Sequence, residues 1–179
     1  SDELSTILKS INSDEIPEDY IELVNINISE NINKKVKFDN EILHRSKVIN
    51  HFLKNDENTS RTQKDLKSVY KKIKKNKKYF ISIKDIILLE TLKHDGIKMP
   101  VGLDYEEFAE NLTVPKGLQN MVETNQTGLA ILKIIEIIGA DRIQDLDPET
   151  IYFLNKILNQ LEVKKIRNQI LSQALTLRV

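Results

Sequence analysis

Three histidines, His44, His51 and His94, are the side chains best suited to metal ligation or proton transfer near neutral pH. Glu41 and His44 stand three apart, as in helices that carry carboxylate-bridged di-iron centres. Such centres need a second pair of this kind and two further glutamates. The nearest candidate, Glu90 with His94, has the wrong spacing and falls at a helix end. His44 and His51 are two helical turns apart, about 10 Å, too far to share one metal without a fold-back. These spacings favour surface or boundary histidines, and no metal or cofactor is expected. Nucleophilic and phosphate-handling signatures are missing too: there is no Gly-x-Ser-x-Gly, glycine-rich phosphate loop or His-Glu-x-x-His. The acids Glu106 and Glu107, and Asp145 with Asp147, have the right chemistry for general acid–base work. Each pair opens a helix, however, where acids stabilise the dipole. Cysteine is absent, which removes disulfides, thiolate metal sites and cysteine nucleophiles. The chain is expected not to be an enzyme.

Charge distribution is the feature that stands out. Residues 61–84 carry ten basic groups and one acid, Asp65, whereas the whole chain is neutral. Residues 1–33 hold eight acids against Lys9. On a helix expected over 63–78, Lys67, Lys71, Lys74 and Lys78 form one row, with Lys75 beside it. Like charges four apart cost an isolated helix about 0.2–0.5 kcal/mol per pair. The row therefore either stays solvated, faces the acidic N-terminal segment of its own or a second chain, or binds an external polyanion. A scarcity of arginine, 5 against 22 lysines, and the neutral total weigh against nucleic acid. Only Tyr70, Tyr79 and Phe80 lie near the row for base stacking, and Tyr70 belongs to the apolar stripe.

Packing helices must position all of these residues. With 179 residues, 40% hydrophobic and 30% charged, the chain is globular, and its five glycines and four prolines are few for a turn-rich β architecture. Lys, Ile and Asn account for 63 residues, as an AT-rich genome would produce. Short helices are expected over 2–11, 17–23, 39–54, 63–78 and 82–94, then 104–112, 115–123 and 129–138, followed by one that starts at Pro148 and a final one that carries Val163 to Leu177. A connector or an irregular helix end is read over 25–37 and a loop over 57–62. Asp39 is expected to cap its helix, Ser82 with Asp85 to form a capping box, and Asp147-Pro148 to open a helix. Gly96 and Gly139 mark stops. The run 129–138 is apolar except for Lys133 and Glu136, so it is expected to be the most buried element of the C-terminal half. On the last helix, Val163, Ile166, Ile170, Ala174 and Leu177 form the inward stripe, with Arg167 outside it. No apolar stretch approaches the roughly 20 residues of a membrane span.

Two segments carry a family likeness. Thr127 to Leu132, Ile138-Gly139, Leu146 to Thr150 and Leu161 to Ile170 resemble the C-terminal end of uncharacterised helical-repeat proteins of alpha-proteobacteria. Phe80 to Ile97 resembles their penultimate region. The resemblance implies a helical-repeat architecture and nothing about a site; a soluble protein, periplasmic or cytoplasmic, is expected, and the resemblance leans it towards the periplasm. The spacings Asp39–Ser82 and Ser82–Thr124 fall in helical-repeat range, although matched side chains do not recur.

The expected fold is all-α, of stacked short antiparallel helix pairs, either an irregular bundle or a short α-solenoid. A single helical domain is expected over 1–179, with 97–103 as the place where two lobes would divide. The expected function is a protein-interaction or scaffolding module whose partner is another protein or a second copy. The alternative is polyanion binding through Lys67, Lys71, Lys74, Lys75 and Lys78.

Overall fold

A computed structural model describes residues 37–53, 59–110 and 112–175. The helices expected over 2–11 and 17–23 and nearly all of the 25–37 connector lie outside the described residues. Those residues are all-helical, with no strand among them. Eight α-helices follow in order: α1 Asn50–Leu53, α2 Thr59–Ile73, α3 Ile83–His94, α4 Glu106–Ala109, α5 Lys116–Glu123, α6 Thr127–Ile138, α7 Pro148–Gln160 and α8 Lys164–Leu175.

Local punctuation forms much as its residue types require. The Ser82 hydroxyl accepts from the Asp85 amide, and the Asp85 carboxylate accepts from the Ser82 amide, closing the capping box of α3. Asp147 accepts from the Thr150 amide at 2.8 Å and opens α7 ahead of Pro148. Gly96 takes φ +83° just past α3, a conformation that a side chain would strain, and the Ile97 amide turns back onto the Leu92 carbonyl.

The expected helix over 39–54 does not form as one piece. Asp39 accepts from the Glu41 amide in a turn, and two 3-10 turns, Leu43–Arg45 and Lys47–Ile49, precede the single α-turn of α1. The break has a tertiary cause. The Leu43 amide donates to the Tyr79 hydroxyl and the His44 amide to Asp85, so distant side chains take over these backbone groups. Ser46 then caps the second turn through the Val48 amide. Helix α2 also differs from expectation: it begins at Thr59, inside the expected loop, and ends at Ile73, the last residue of its buried stripe Leu66, Val69 and Ile73. Beyond it the chain coils tightly, with the Lys78 amide bonded to the Asn76 side chain.

Helix α7 is the structural centre. It packs against α3, α5 and α8, and buries Ile151, Tyr152, Leu154, Ile157 and Leu158. One apolar cluster joins α1, α2 and α3 to Ile151, Tyr152 and the end of α8; the other joins α5 and α6 to Leu154, Ile157 and Leu158. Because α7 faces neighbours on several sides, it is buried where α6 is not. Helix α6 is therefore not the most buried element of this half: only Ala130 and Ile134 are buried, and Leu129, Leu132 and Ile135 point outward. Its two fully buried positions are one helical step apart, i to i+4, and Ile137 and Ile138 pack half-buried against the same cluster.

These environments predict opposite responses to the same chemical change. Leu154→Ala, within α7, is expected to cost about 2–5 kcal/mol of unfolding free energy. Leu132→Ala, on the outer face of α6, is expected to cost within about 0.5 kcal/mol. Urea denaturation of the two variants beside the parent checks the assignment.

Candidate functional site

Each histidine is best understood from the element that holds it. His44 lies in the first 3-10 turn, buried, with its Nδ1 2.8 Å from Asp85 Oδ1 and 3.3 Å from Ser82 Oγ. A serine, a histidine and an aspartate together suggest nucleophilic catalysis, but that chemistry requires the hydroxyl and the carboxylate on opposite ring nitrogens. Here both approach Nδ1, and the Ser82 hydroxyl donates to Asp85 Oδ2 at 3.0 Å. Tyr79 donates to the same oxygen at 2.9 Å. Burial would push the Asp85 carboxyl up, but the hydrogen bonds from His44 and from the backbone of Ser82 and His44 hold it below its usual range. The cluster joins the N-terminal turns to α3 and has no activated nucleophile. Glu41, its sequence partner in the di-iron pattern, is exposed.

His51 stands between unlike groups, its Nε2 2.8 Å from Asp95 Oδ2 and its Nδ1 3.2 Å from Thr62 Oγ1. The hydroxyl and the carboxylate lie on opposite ring nitrogens, but exchanged relative to the catalytic order, and the His51 and Asp95 side chains are only 1% and 5% exposed. Asp95 is also engaged by Arg167 on α8. Nη1 donates to Oδ1 at 2.9 Å and Nη2 to Oδ2 at 2.7 Å, a bidentate fork. The remaining guanidinium protons go to Asn159 and Asn168, which leaves no donor of the buried cation unmet. Burial alone would raise the Asp95 carboxyl. The hydrogen bonds of His51 and Arg167, with the charges of Arg167 and Lys164, reverse that and hold it far below the usual carboxylate range. The arrangement clasps α1, the end of α3, α7 and α8 together.

His94 is exposed, its Nδ1 3.6 Å from Asp95 Oδ1, and it forms no ligand pair with Glu90. Among the described residues, no group of three His, Asp or Glu side chains is placed to hold a metal ion. Glu90 instead lines an open groove of about 550 Å³ between α3, α4 and α7. Tyr152 donates to Glu90 Oε1 at 3.2 Å, and the Lys156 ammonium reaches the Tyr152 hydroxyl at 3.3 Å and lies over its ring. Burial pushes the Glu90 carboxyl up, opposed in part by Lys156 and the Tyr152 bond. Burial and the nearby Glu90 and Glu106 push the Tyr105 hydroxyl up to about 12. Lys93 pairs with Glu106 at the rim. Tyr152 and Lys156 stand 62 and 66 positions from Glu90, so the sequence offered only the Tyr152-x-x-x-Lys156 step as a signal.

Lys67, Lys71, Lys74, Lys75 and Lys78 are all exposed, and none forms an ion pair with an acid among the described residues. They do not make one helical row, because α2 stops at Ile73; Lys67 and Lys71 lie on the helix, and the other three in the turns after it. The acidic segment 1–33, one of their expected partners, lies outside the described residues. The aromatic groups nearby are largely committed. Tyr79 serves Asp85 and Leu43, Tyr70 donates to the Gly102 carbonyl, and Phe80 stacks edge-on against Phe108. Among the described residues no helix is long and apolar enough to cross a membrane.

The exposed apolar surface is the part that sequence reasoning missed. Leu129, Leu132 and Ile135 are 48%, 64% and 59% exposed and follow one another at steps of three along α6. A run of apolar residues around most of a helix signals burial on many sides. The sequence does not say whether its own chain supplies every cover.

The Arg167 clasp yields a pH-dependent expectation. Arg167→Met removes one partner of a buried pair and is expected to cost about 3–5 kcal/mol at pH 7. Asp95 has a folded pKa depressed below its unfolded value of 3.8. Its contribution is thus fully present above that value and lost as pH falls towards the folded pKa. The stability gap between parent and variant should therefore narrow below about pH 4, which urea midpoints measured from pH 7 to pH 3 would show. Comparison with known proteins finds no matching family model, curated protein or solved structure, so the functional reading rests on the chain's own geometry.

Proposed function

We propose that the chain is a non-enzymatic protein-interaction or scaffolding module of helical-repeat type, its short helices stacked as antiparallel pairs in an irregular bundle or short α-solenoid. The observation that carries this reading is the outward apolar stripe of α6. Three large aliphatic side chains on one helix face lose hydration when a partner covers them, and among the described residues no other single helix exposes three such side chains. The polar clusters support the same reading, since the buried histidines and their aspartates are spent on joining segments. Kinship with the helical-repeat proteins of alpha-proteobacteria, and with it a periplasmic location, belongs to the same proposal.

Lys133 sits beside the stripe, paired with Glu136 at 2.8 Å, and offers an amine for cross-linking. Amine-reactive cross-linking in the native cell, read by mass spectrometry, is expected to join Lys133 to another chain. Leu132→Asp should abolish that link while leaving the melting temperature unchanged. Links that persist in Leu132→Asp would overturn the reading.

Polyanion binding is the second reading, favoured by the exposure of Lys67, Lys71, Lys74, Lys75 and Lys78. It requires an affinity for DNA, RNA or anionic vesicles that falls steeply with salt, because each neutralised phosphate releases counterions. Replacing these lysines by Gln would flatten the slope. The interaction-module reading expects no binding tighter than about 10⁻⁴–10⁻⁶ M at physiological salt, the range of non-specific contact.

A further inference from the structure

We infer that α6 pairs with α6 of a second copy of this chain, antiparallel, about a two-fold axis at Leu132; this rests on reading α6 as an interaction surface. The stripe is symmetric about its central residue. Leu129 and Ile135 lie three positions to either side of Leu132, and all three face outward. A two-fold contact uses the same patch twice and so must be self-complementary. Placing the axis at Leu132 brings Leu132 against the partner's Leu132 and Leu129 against the partner's Ile135, which covers every member of the stripe with an aliphatic group of similar size.

The ends of the helix give charge complementarity in the same register. Glu136, four positions beyond Leu132, comes opposite the partner's Gly128, four positions before it. Gly128 has no side chain, and a Cβ built there would meet nothing within 4 Å, so the approach is open. A negative charge at the first turn of α6 would be stabilising. Its N-cap, Gln126, makes no side-chain capping bond, and no acid lies in that turn. The exposed Glu136 would thus rest at the positive end of the opposing helix dipole. Lys133 stays on the flank and holds Glu136 in place through their ion pair. An unrelated partner would have to reproduce both the symmetric aliphatic spacing and the terminal acid, whereas a second copy carries both.

Three side chains from each copy cover little beside the about 1,200–2,000 Å² of a stable interface, so the association is expected to be weak, with Kd on the order of micromolar or above. The chain has no cysteine, which makes disulfide trapping specific. Leu132→Cys, whose thiols meet at the axis, should oxidise to a covalent dimer. Ile135→Cys alone should stay largely monomeric, because it faces the partner's Leu129. An equimolar mixture of Leu129→Cys and Ile135→Cys chains should form the mixed disulfide in excess over either homodimer. Sedimentation equilibrium of the unmodified chain should show concentration-dependent dimerisation, weakened at least tenfold by Leu132→Lys. The inference is overturned if Leu132→Cys links no faster than Ile135→Cys, or if the parent stays monomeric at concentrations well above the expected Kd. If those tests fail but Lys133 still cross-links to a different protein, the interaction reading stands and only the self-pairing is lost.

Discussion

Arg167 is a cation almost wholly removed from water, and the assembly of the described helices turns on how Asp95 compensates it. A buried guanidinium without a counter-charge is prohibitively costly, so α8 can dock only in the rotation that presents Arg167 to the end of α3. That single requirement explains several placements. The stripe of α8 is Arg167, Asn168, Ile170, Leu171, Ala174 and Leu175, turned from the purely apolar stripe, and Ile166 is left at the surface. His51 and Thr62 extend the same network to α1 and α2, and Asn159 extends it to α7. Hydrogen bonds of this kind are directional. They set helix rotation and register where aliphatic packing alone tolerates alternatives.

The second buried carboxylate, Asp85, works by the same physics at the opposite end of α3. It completes the helix cap and at the same time receives His44 and Tyr79, so helix initiation and tertiary docking are one event. Helix α3 is thereby fixed at its start by Asp85 and at its end by Asp95. Between them, Ile86 to Leu89 and Leu92 bury their side chains on all sides. Both histidine–carboxylate contacts bear a superficial likeness to catalytic arrays, and in both the accessible geometry is structural.

Helix α6 shows the reverse situation. It is among the most apolar segments of the chain, yet its neighbours α5 and α7 cover one side only. Apolar surface left in water costs free energy that a partner can recover, which is why the functional reading rests on this face. The lysine-rich turns after α2 differ physically, being hydrated charges that gain little from burial.

The sequence by itself determined what is local. The capping box at Ser82 and Asp85, the Asp147-Pro148 start, the stop at Gly96 and the inward stripe of α2 all follow from hydrogen bonds and periodicity within a few residues. The all-helical class follows from the same signals. Only the tertiary structure decided which apolar residues are covered and which polar ones are buried. Periodicity places Leu132 and Ile134 on a helix but cannot count the neighbours around it. Propensity extends a helix from Asp39 but cannot foresee Tyr79 and Asp85, some forty residues on, taking the amides of Leu43 and His44. The charge of Arg167 reads as a solvated residue until Asp95, 72 positions away, is seen to meet it. Each of these outcomes depends on a partner distant in sequence, and such a partner leaves no mark on the local pattern.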